Sequence, residues 1–582
     1  MSRDPFTLEI IGDMLRASAV EMFITYGRSA QSPIIYEVLD MGCGLISAEG
    51  ELIAEAEGVP GFVGCLGFAV REVLEKFGAD ALQPGDIFAC NDPWGGGGTH
   101  LSDVVLVMPL FHEGNLLAFA ANKAHWTEVG GMAPGSWTTD STEIYQEGLQ
   151  LPALRLYRAG QPQQDLLDIL EANVRLPEMT LGDMYAGIAA LHAGARGVAT
   201  VCARYGADAL LEAIALLLQR GESVARERLA ALPDGSWFAE AWLDDDGIGD
   251  EPQYVCVRVT IDGERFIADY SGCAPQASGP INTTHVGLMV VVREMFKCVM
   301  DPHFPNNDGF FRPIEIICPP GTLFTAQRPA PTSTYWETGS YAAELIWRAM
   351  YAVAPERLSV GHHLSICGTI VSGEDEDGRP WVLVEPQAGG WGATQQRDGQ
   401  NGLVPSGDGE TYIMPVEICE TRYPLLVDRF AFNTEPGGAG RWRGGFGLIR
   451  DYQVTSSHAD LTASFGRFRF PPWGAQGGAD GSNNAIEIIP AGQEKAVLRT
   501  GRCARQRLQR GDVARLITAV GGGFGDPLQR DPQRVAEDLR EGYLSPEIAR
   551  QAYGVVLDSA GVDEAATASL RADMSREREH GA

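Results

Sequence analysis

Cysteine is sparse and poorly placed for building structure: the 11 cysteines are scattered, with no C-x-x-C pair and no repeating spacing. That pattern argues against a disulfide framework or a thiolate zinc site, and it fits a reducing cytoplasm. No basic run offsets the formal net charge of −32, which argues against nucleic acid or anionic lipid as a partner. No uncharged apolar run reaches the ~18 residues of a membrane-crossing helix. The opening M-S-R-D-P-F-T-L-E-I lacks the basic and apolar regions of a secretory signal, so none is expected. There is no G-x-S-x-G elbow, no cysteine in a catalytic context and no glycine loop ending in Lys-Ser/Thr, which sets aside a serine hydrolase and a Walker-type ATPase. Internal repeats and low-complexity segments are also missing.

Glycine, by contrast, is abundant: 70 of 582 residues, against an average near 7%. Such usage implies tight turns and many loops in a β-rich architecture. The length allows two to four domains. Residues 6–30 carry apolar positions at helical spacing, and 34–55 read as a hairpin turning at Ala48-Glu49-Gly50. A helix is expected over 61–78, ending at Gly78, then a strand at I-F-A-C and a second hairpin turning at His112-Glu113-Gly114-Asn115. Residues 164–232 read as helical, 235–290 as strands, and 282–300 and 342–353 as helices. Beyond these lie a glycine-rich mixed region with strands at R-P-W-V-L-V-E and A-I-E-I-I-P, two short tail helices and a frayed last ten residues. The expected fold is α+β and multi-domain, with glycine-rich mixed β-sheets and a helical layer in mid-chain. Its units would be a metal-site domain (1–160), a helical segment (161–235), a mixed β-rich region (236–530) and a helical tail (531–582).

Ten histidines are present, and two of them share a setting that suggests chemistry. Residues 91–104 read N-D-P-W-G-G-G-G-T-H-L-S-D-V, and an apolar stretch then leads to N-K-A-H-W. His100 and Asp103 are three apart, and His125 stands at the far end of the hairpin that follows. Two imidazoles and a carboxylate there match the ligands of zinc or manganese. Asp40 is a candidate fourth donor, read as mid-strand among apolar residues where an unpaired carboxylate is costly; it could equally cap a turn beside Gly42. Glu128 could orient a ligand imidazole or act as a general base, or be a solvated loop residue. Gly95 to Gly98 permit close backbone approach or a mobile loop. Gly521-Gly522-Gly523-Phe524-Gly525-Asp526 has no βαβ surroundings and reads as a structural turn. His362-His363 are either further ligands or a polar edge after a helix.

The strings N-D-P-W-G-G-G-G-T-H-L-S-D-V, A-H-W-T-E-V-G-G-M-A-P-G-S and Y-Q-E-G-L-Q-L-P resemble the B-type subunit of the ATP-dependent hydantoinase/oxoprolinase family. Further matches are A-N-V-R-L-P, D-Y-S-G-C-A-P-Q-A-S-G-P-I-N, G-G-W-G-A, P-G-G-A-G-R-W-R-G-G-F-G and V-G-G-G-F-G-D-P-L, so the likeness runs over roughly residues 5–555. The resemblance implies that His100, Asp103 and His125 hold a divalent metal, zinc before manganese, with Asp40 as a further ligand. It implies a partner A-type subunit that binds ATP and Mg and phosphorylates the carbonyl oxygen of a small cyclic amide, in a hetero-oligomer of α2β2 size or larger. Glu128 or a nearby carboxylate would move the proton. A carboxylase subunit or a scaffold subunit are the alternatives. Two departures stand out. Phe62 occupies a position where many members have histidine, and Glu128 stands where aspartate is frequent.

Overall fold

The computed structural model describes residues 4–559 and 561–581. The chain opens with α1 (Pro5–Ser29), whose first turn holds Pro5 and is capped by the Asp4 carboxylate accepting from the Phe6 N–H. Proline is tolerated there because that N–H has no intrahelical partner. The strand expected from Ile34 does not form. Ser32-Pro33 instead opens a single helical turn, α2 (Pro33–Tyr36), because the proline ring already holds φ near its helical value. The hairpin starts only at β1 (Met41–Ser47) and returns as β2 (Leu52–Glu55). The helix expected over 61–78 comes in two pieces, α3 (Pro60–Val63) and α4 (Leu66–Phe77). It ends at Gly78, whose φ of 76° is a conformation that glycine adopts without steric cost.

β1 and β2 belong to a seven-stranded sheet with β3 (Ile87–Cys90), β4 (Asp103–His112), β5 (Asn115–His125), β6 (Leu154–Arg158) and β7 (Gln161–Pro162), in the order β2-β1-β5-β4-β3-β6-β7. Both faces are buried, which explains the continuous apolar runs of β4 and β5. Val104, Leu106, Met108, Ala120 and Ala124 face one core, with α1 and the helices of the middle region. Val105, Val107, Phe119 and Ala121 face another, with Leu66, Ala69, Val70 and Val73 of α4. Each such valine or leucine contributes about 1.5–3 kcal/mol relative to exposure.

The middle of the chain forms α5 (Gln164–Asn173), α6 (Pro177–Tyr205) and α7 (Ala207–Ala230). By length and composition α6 is apolar enough to cross a membrane, yet it packs along α1 and the sheet. Asn122 of β5 donates to the Gly187 carbonyl at 2.8 Å, fixing α6 on the sheet. A second sheet follows: β8 (Gly235–Leu243), β9 (Gln253–Asp262), β10 (Arg265–Asp269) and β11 (Ile314–Ile317). It is covered by α8 (His285–Met300) and α9 (Trp336–Met350). α9 begins before the expected position 342, which brings Tyr335 and Trp336 to its start.

The glycine-rich remainder supplies two more sheets. One orders Pro380–Glu385, Gly368–Glu374, His458–Ser464 and Arg502–Gln509; the other orders Leu425–Asn433, Gly447–Val454, Val513–Ile517, Ala485–Ile489 and Leu498–Thr500. Ile370, Leu383, Tyr452 and Leu461 of these sheets share one apolar core with the first sheet. The tail holds three helices, Pro532–Arg540, Pro546–Gln551 and Glu564–Gly581. The third occupies the stretch expected to fray; of that expectation, residue 582 lies outside the described residues. Segregated helices and mixed sheets in several layers give the multi-domain α+β architecture.

Candidate metal centre

The glycine loop between β3 and β4 is pinned at both ends by Asn91. Its Nδ2 donates to the Leu101 and Leu149 carbonyls, each at 2.8 Å, and its Oδ1 accepts from the Leu151 N–H at 2.6 Å. A Cβ on Gly98 would lie 1.9 Å from the Asn91 carbonyl oxygen. The glycines therefore serve close approach. Asp103 opens β4, His125 closes β5, and the two are directly opposite in the antiparallel register. That pairing places both side chains on the α4 face of the sheet. His100 sits in the turn just before, where its carbonyl accepts the Asp103 N–H at 3.1 Å.

Three donor atoms converge as a result. His100 Nε2 is 3.1 Å from Asp103 Oδ1 and 3.1 Å from His125 Nδ1, and His125 Nδ1 is 3.4 Å from Asp103 Oδ1. All three residues are buried. His100 Nδ1 donates to the Ser333 carbonyl at 3.0 Å, which leaves the Nε2 lone pair facing the cluster. The Ser333 segment is itself held by buried Glu147, which accepts from the Thr332 and Ser333 N–H groups, each at 3.0 Å. Around a divalent ion with ~2.1 Å bonds, neighbouring ligand atoms stand about 3.0–3.4 Å apart in octahedral or tetrahedral shells. The donor set thus fits such an ion in chemistry and in spacing.

The second oxygen of Asp103 is engaged elsewhere. Fully buried Lys123, two residues before His125 and on the same face, lies 3.4 Å from Asp103 Oδ2. It also donates to the Thr99 hydroxyl at 2.9 Å and the Gly97 carbonyl at 3.2 Å. The Thr99 hydroxyl in turn donates to Asp103 Oδ2, and Tyr335 OH donates to the same oxygen at 3.4 Å. Burial alone would raise the Asp103 carboxyl, but the charges of His100 and Lys123 and both imidazole contacts outweigh it and hold it well below the usual carboxylate range. Phe62, where the resemblance leads one to expect histidine, presents its ring 4.5 Å from Lys123 Nζ, a cation–π contact. Lys123 and Glu147 escape a reading of the sequence. The lysine looks like one ordinary residue of a strand, and the glutamate's one signal is its place in Y-Q-E-G.

The donors open onto a cavity of about 50 Å³ walled by Phe62, Trp137, Tyr335 and Trp336, room for a water or two. Asp40 lines this cavity but is outside the converging set. It lies in the turn before β1 and not mid-strand, because Leu39 at φ 62° bends the chain there. Its carbonyl accepts the His125 N–H at 3.1 Å. Asp408, brought from far along the chain, lines the cavity too. Burial pushes both carboxyls up to about 8, with nearby acids adding to the shift and, for Asp40, His125 opposing it.

Glu128 is elsewhere. One oxygen accepts from the Gly130 N–H at 2.8 Å and Arg175 Nη1 at 2.9 Å, and the other from the Gly135 N–H at 2.9 Å. It is buried, absent from the cavity wall, and pins the 128–136 loop. Its burial corrects the solvated-residue expectation, and both of its oxygens are engaged by backbone N–H groups and Arg175. His362 is buried beside Trp391 and His363 beside His362, and among the described residues neither belongs to a converging donor set. The N–H groups of Gly521, Gly522, Gly523 and Phe524 all donate to backbone carbonyls, so none is free to cradle a phosphate.

The family model described as Hydantoinase B/oxoprolinase matches residues 4–527. The B component of a putative D-/L-hydantoinase from Pseudomonas sp. (strain NS671) is 31% identical, over 98% of each chain. Among solved structures, the ATP-dependent caprolactamase of Pseudomonas jessenii superposes with a TM-score of 0.91 at 28% identity, over 98% of this chain and all of that one. Nucleotide-free acetone carboxylase gives 0.91 at 22% identity, over 100% of this chain and 84% of that one, a likeness of fold. The chain belongs to the hydantoinase B/oxoprolinase family.

Proposed function

We propose that this chain is the metal-bearing subunit of an ATP-dependent amidohydrolase, which opens a small cyclic amide after a partner A-type subunit has phosphorylated its carbonyl oxygen. The convergence of His100 Nε2, Asp103 Oδ1 and His125 Nδ1 on one buried point carries the reading. A divalent ion there, zinc in preference to manganese for hydrolysis, supplies Lewis acidity toward oxygen and lowers the pKa of water.

The chain's own residues do the rest. His100 and His125 offer neutral nitrogen, and Asp103 offers one oxygen because Lys123, Thr99 and Tyr335 hold the other. The aromatic wall excludes bulk water and strengthens each electrostatic contact. Asp40 and Asp408, whose carboxyls burial pushes up to about 8, line the same cavity and are the candidates to give and take the proton that ring opening moves. An amide carbonyl resists attack through resonance, and phosphorylation of its oxygen removes that resistance. The nucleotide is assigned to the partner. The hydantoinase relative is one component of a multi-subunit enzyme and the caprolactamase is ATP-dependent, and both facts support this division.

The test is a panel of lactams, hydantoins and ketones with ATP and the co-purified partner, with and without bicarbonate. Amino-acid or carbamoyl product formed without bicarbonate is the expected result. A bicarbonate requirement would reassign the chain to carboxylation, and metal-free yet fully active protein would end the assignment.

A further inference from the structure

The cavity at the metal centre is small. Across the segment Ser406–Gly409 and α3 lies a second one, of about 520 Å³, within the range of small-molecule sites. The same two segments wall both spaces. Phe62, Asp408 and Thr411 face the metal cavity, whereas Pro60, Gly64, Ser406 and Gly409 face the larger one. On the side of the larger cavity the segment packs closely: a Cβ on Gly407 would stand 3.7 Å from Glu294 Oε2, and one on Gly409 2.5 Å from the Pro60 ring.

Glu294, on α8, lines the larger cavity, and neither of its buried carboxylate oxygens has a hydrogen-bond partner. Of neighbouring groups, the Ser406 hydroxyl favours its charge, but burial dominates and pushes the carboxyl up to about 7. An unpartnered buried carboxylate is costly, so an occupant that donates hydrogen bonds there is strongly favoured. Three cations stand around the same cavity. Lys297, Arg293 and Arg357 also line the cavity. Arg357 Nη1 donates to the Met300 carbonyl at 3.0 Å, Lys297 to the Asp301 carbonyl at 2.9 Å, and Arg293 Nη1 to Asp308 at 2.8 Å. Each guanidinium has five N–H donors, and the Lys297 ammonium has three, a second of which goes to the Phe304 carbonyl, so N–H groups remain on each for a ligand. Glu55, the other acid in the lining, accepts from Asn306 at 2.9 Å. Trp347 and Trp391, edge to face at 6.0 Å, supply apolar surface between.

We propose that this second cavity is a binding site for a small zwitterion, the ring-opened amino acid, with its ammonium on Glu294, its carboxylate on Arg357 and Lys297, and its methylenes against the two tryptophans. The choice of ligand rests on the cyclic-amide reading of the metal centre. The separation of charges also distinguishes the opened product from the intact neutral amide.

The experiment titrates the full chain with 6-aminohexanoate, following tryptophan fluorescence and calorimetry. Hexylamine, hexanoate and the intact seven-membered lactam serve as the comparison arms. The amino acid should bind saturably, with the same affinity in His100→Ala, and each half-ligand and the lactam about tenfold or more weaker. Glu294→Gln should weaken amino-acid binding by a similar factor, and Arg357→Met should weaken hexanoate but not hexylamine. Circular dichroism melts confirm that each variant is folded. No saturable binding, or binding indifferent to both Glu294→Gln and Arg357→Met, overturns the site. Binding that stands while no cyclic amide is hydrolysed overturns the reading of the metal centre instead, and turnover without binding overturns this site alone.

Discussion

His100 and His125 are buried side by side, with ring centroids 5.0 Å apart, and His362 and His363 are buried side by side at 5.8 Å. The first pair faces Asp103, which is held by Lys123 and Thr99. The second faces tryptophan and backbone, where burial drives both rings below the usual histidine range, His363 to about 3. Burial alone makes an inert, neutral imidazole. A carboxylate at 3.1–3.4 Å whose other oxygen is already engaged makes a place for a cation.

Four substitutions break or sharpen that contrast. The largest effect is expected from His100→Ala, which should take metal content on purification from near stoichiometric to near zero and abolish partner-coupled turnover. His362→Ala should leave metal content unchanged, and elemental analysis of the two proteins side by side decides. Next is Lys123→Met. Removing the ammonium frees Asp103 Oδ2 and should weaken metal binding about 10- to 100-fold, measured by competition with a chelating dye. Wild-type affinity in that variant would show that Thr99 and Tyr335 suffice.

The smallest effect concerns acid. The folded pKa of His363 lies below its unfolded value, so between roughly pH 6.5 and 3 the unfolded chain binds a proton that the folded chain does not. Its contribution to stability is present above that window and is lost as pH falls through it, by about 1.4 kcal/mol per pH unit. His363→Gln should therefore flatten the acid limb of urea-unfolding stability relative to the parent in the same buffer. An unchanged slope would mean that the ring titrates normally in the folded chain.

The ligand segment was legible because strand alternation and a short turn between β4 and β5 leave few registers, and only one sets Asp103 against His125. The supports were not. Lys123 has the sequence appearance of any strand residue, and its burial follows from α3 and the glycine loop closing over it, a tertiary event. Asp408 and Ser333 reach the site from turns more than 200 residues further along the chain than His125, beyond any local pattern. Glu128 differs for the opposite reason: proximity to His125 in sequence suggested proximity in space, but its carboxylate is taken up by the Gly130 and Gly135 N–H groups and Arg175. Proline at 33 likewise carried a local signal, for a helical turn, that the apolar run after it obscured.

The face-to-face placement of Asp103 and His125 has a consequence for how the protein is made. Slipping β5 by one residue along β4 would swing His125 and Lys123 together to the α1–α6 side of the sheet, so a misregistered hairpin has no half-built centre left to scavenge an ion. With an ion held as proposed, metal occupancy in a preparation would count the molecules whose strands have zipped correctly, a proofreading mark on the chain's own assembly.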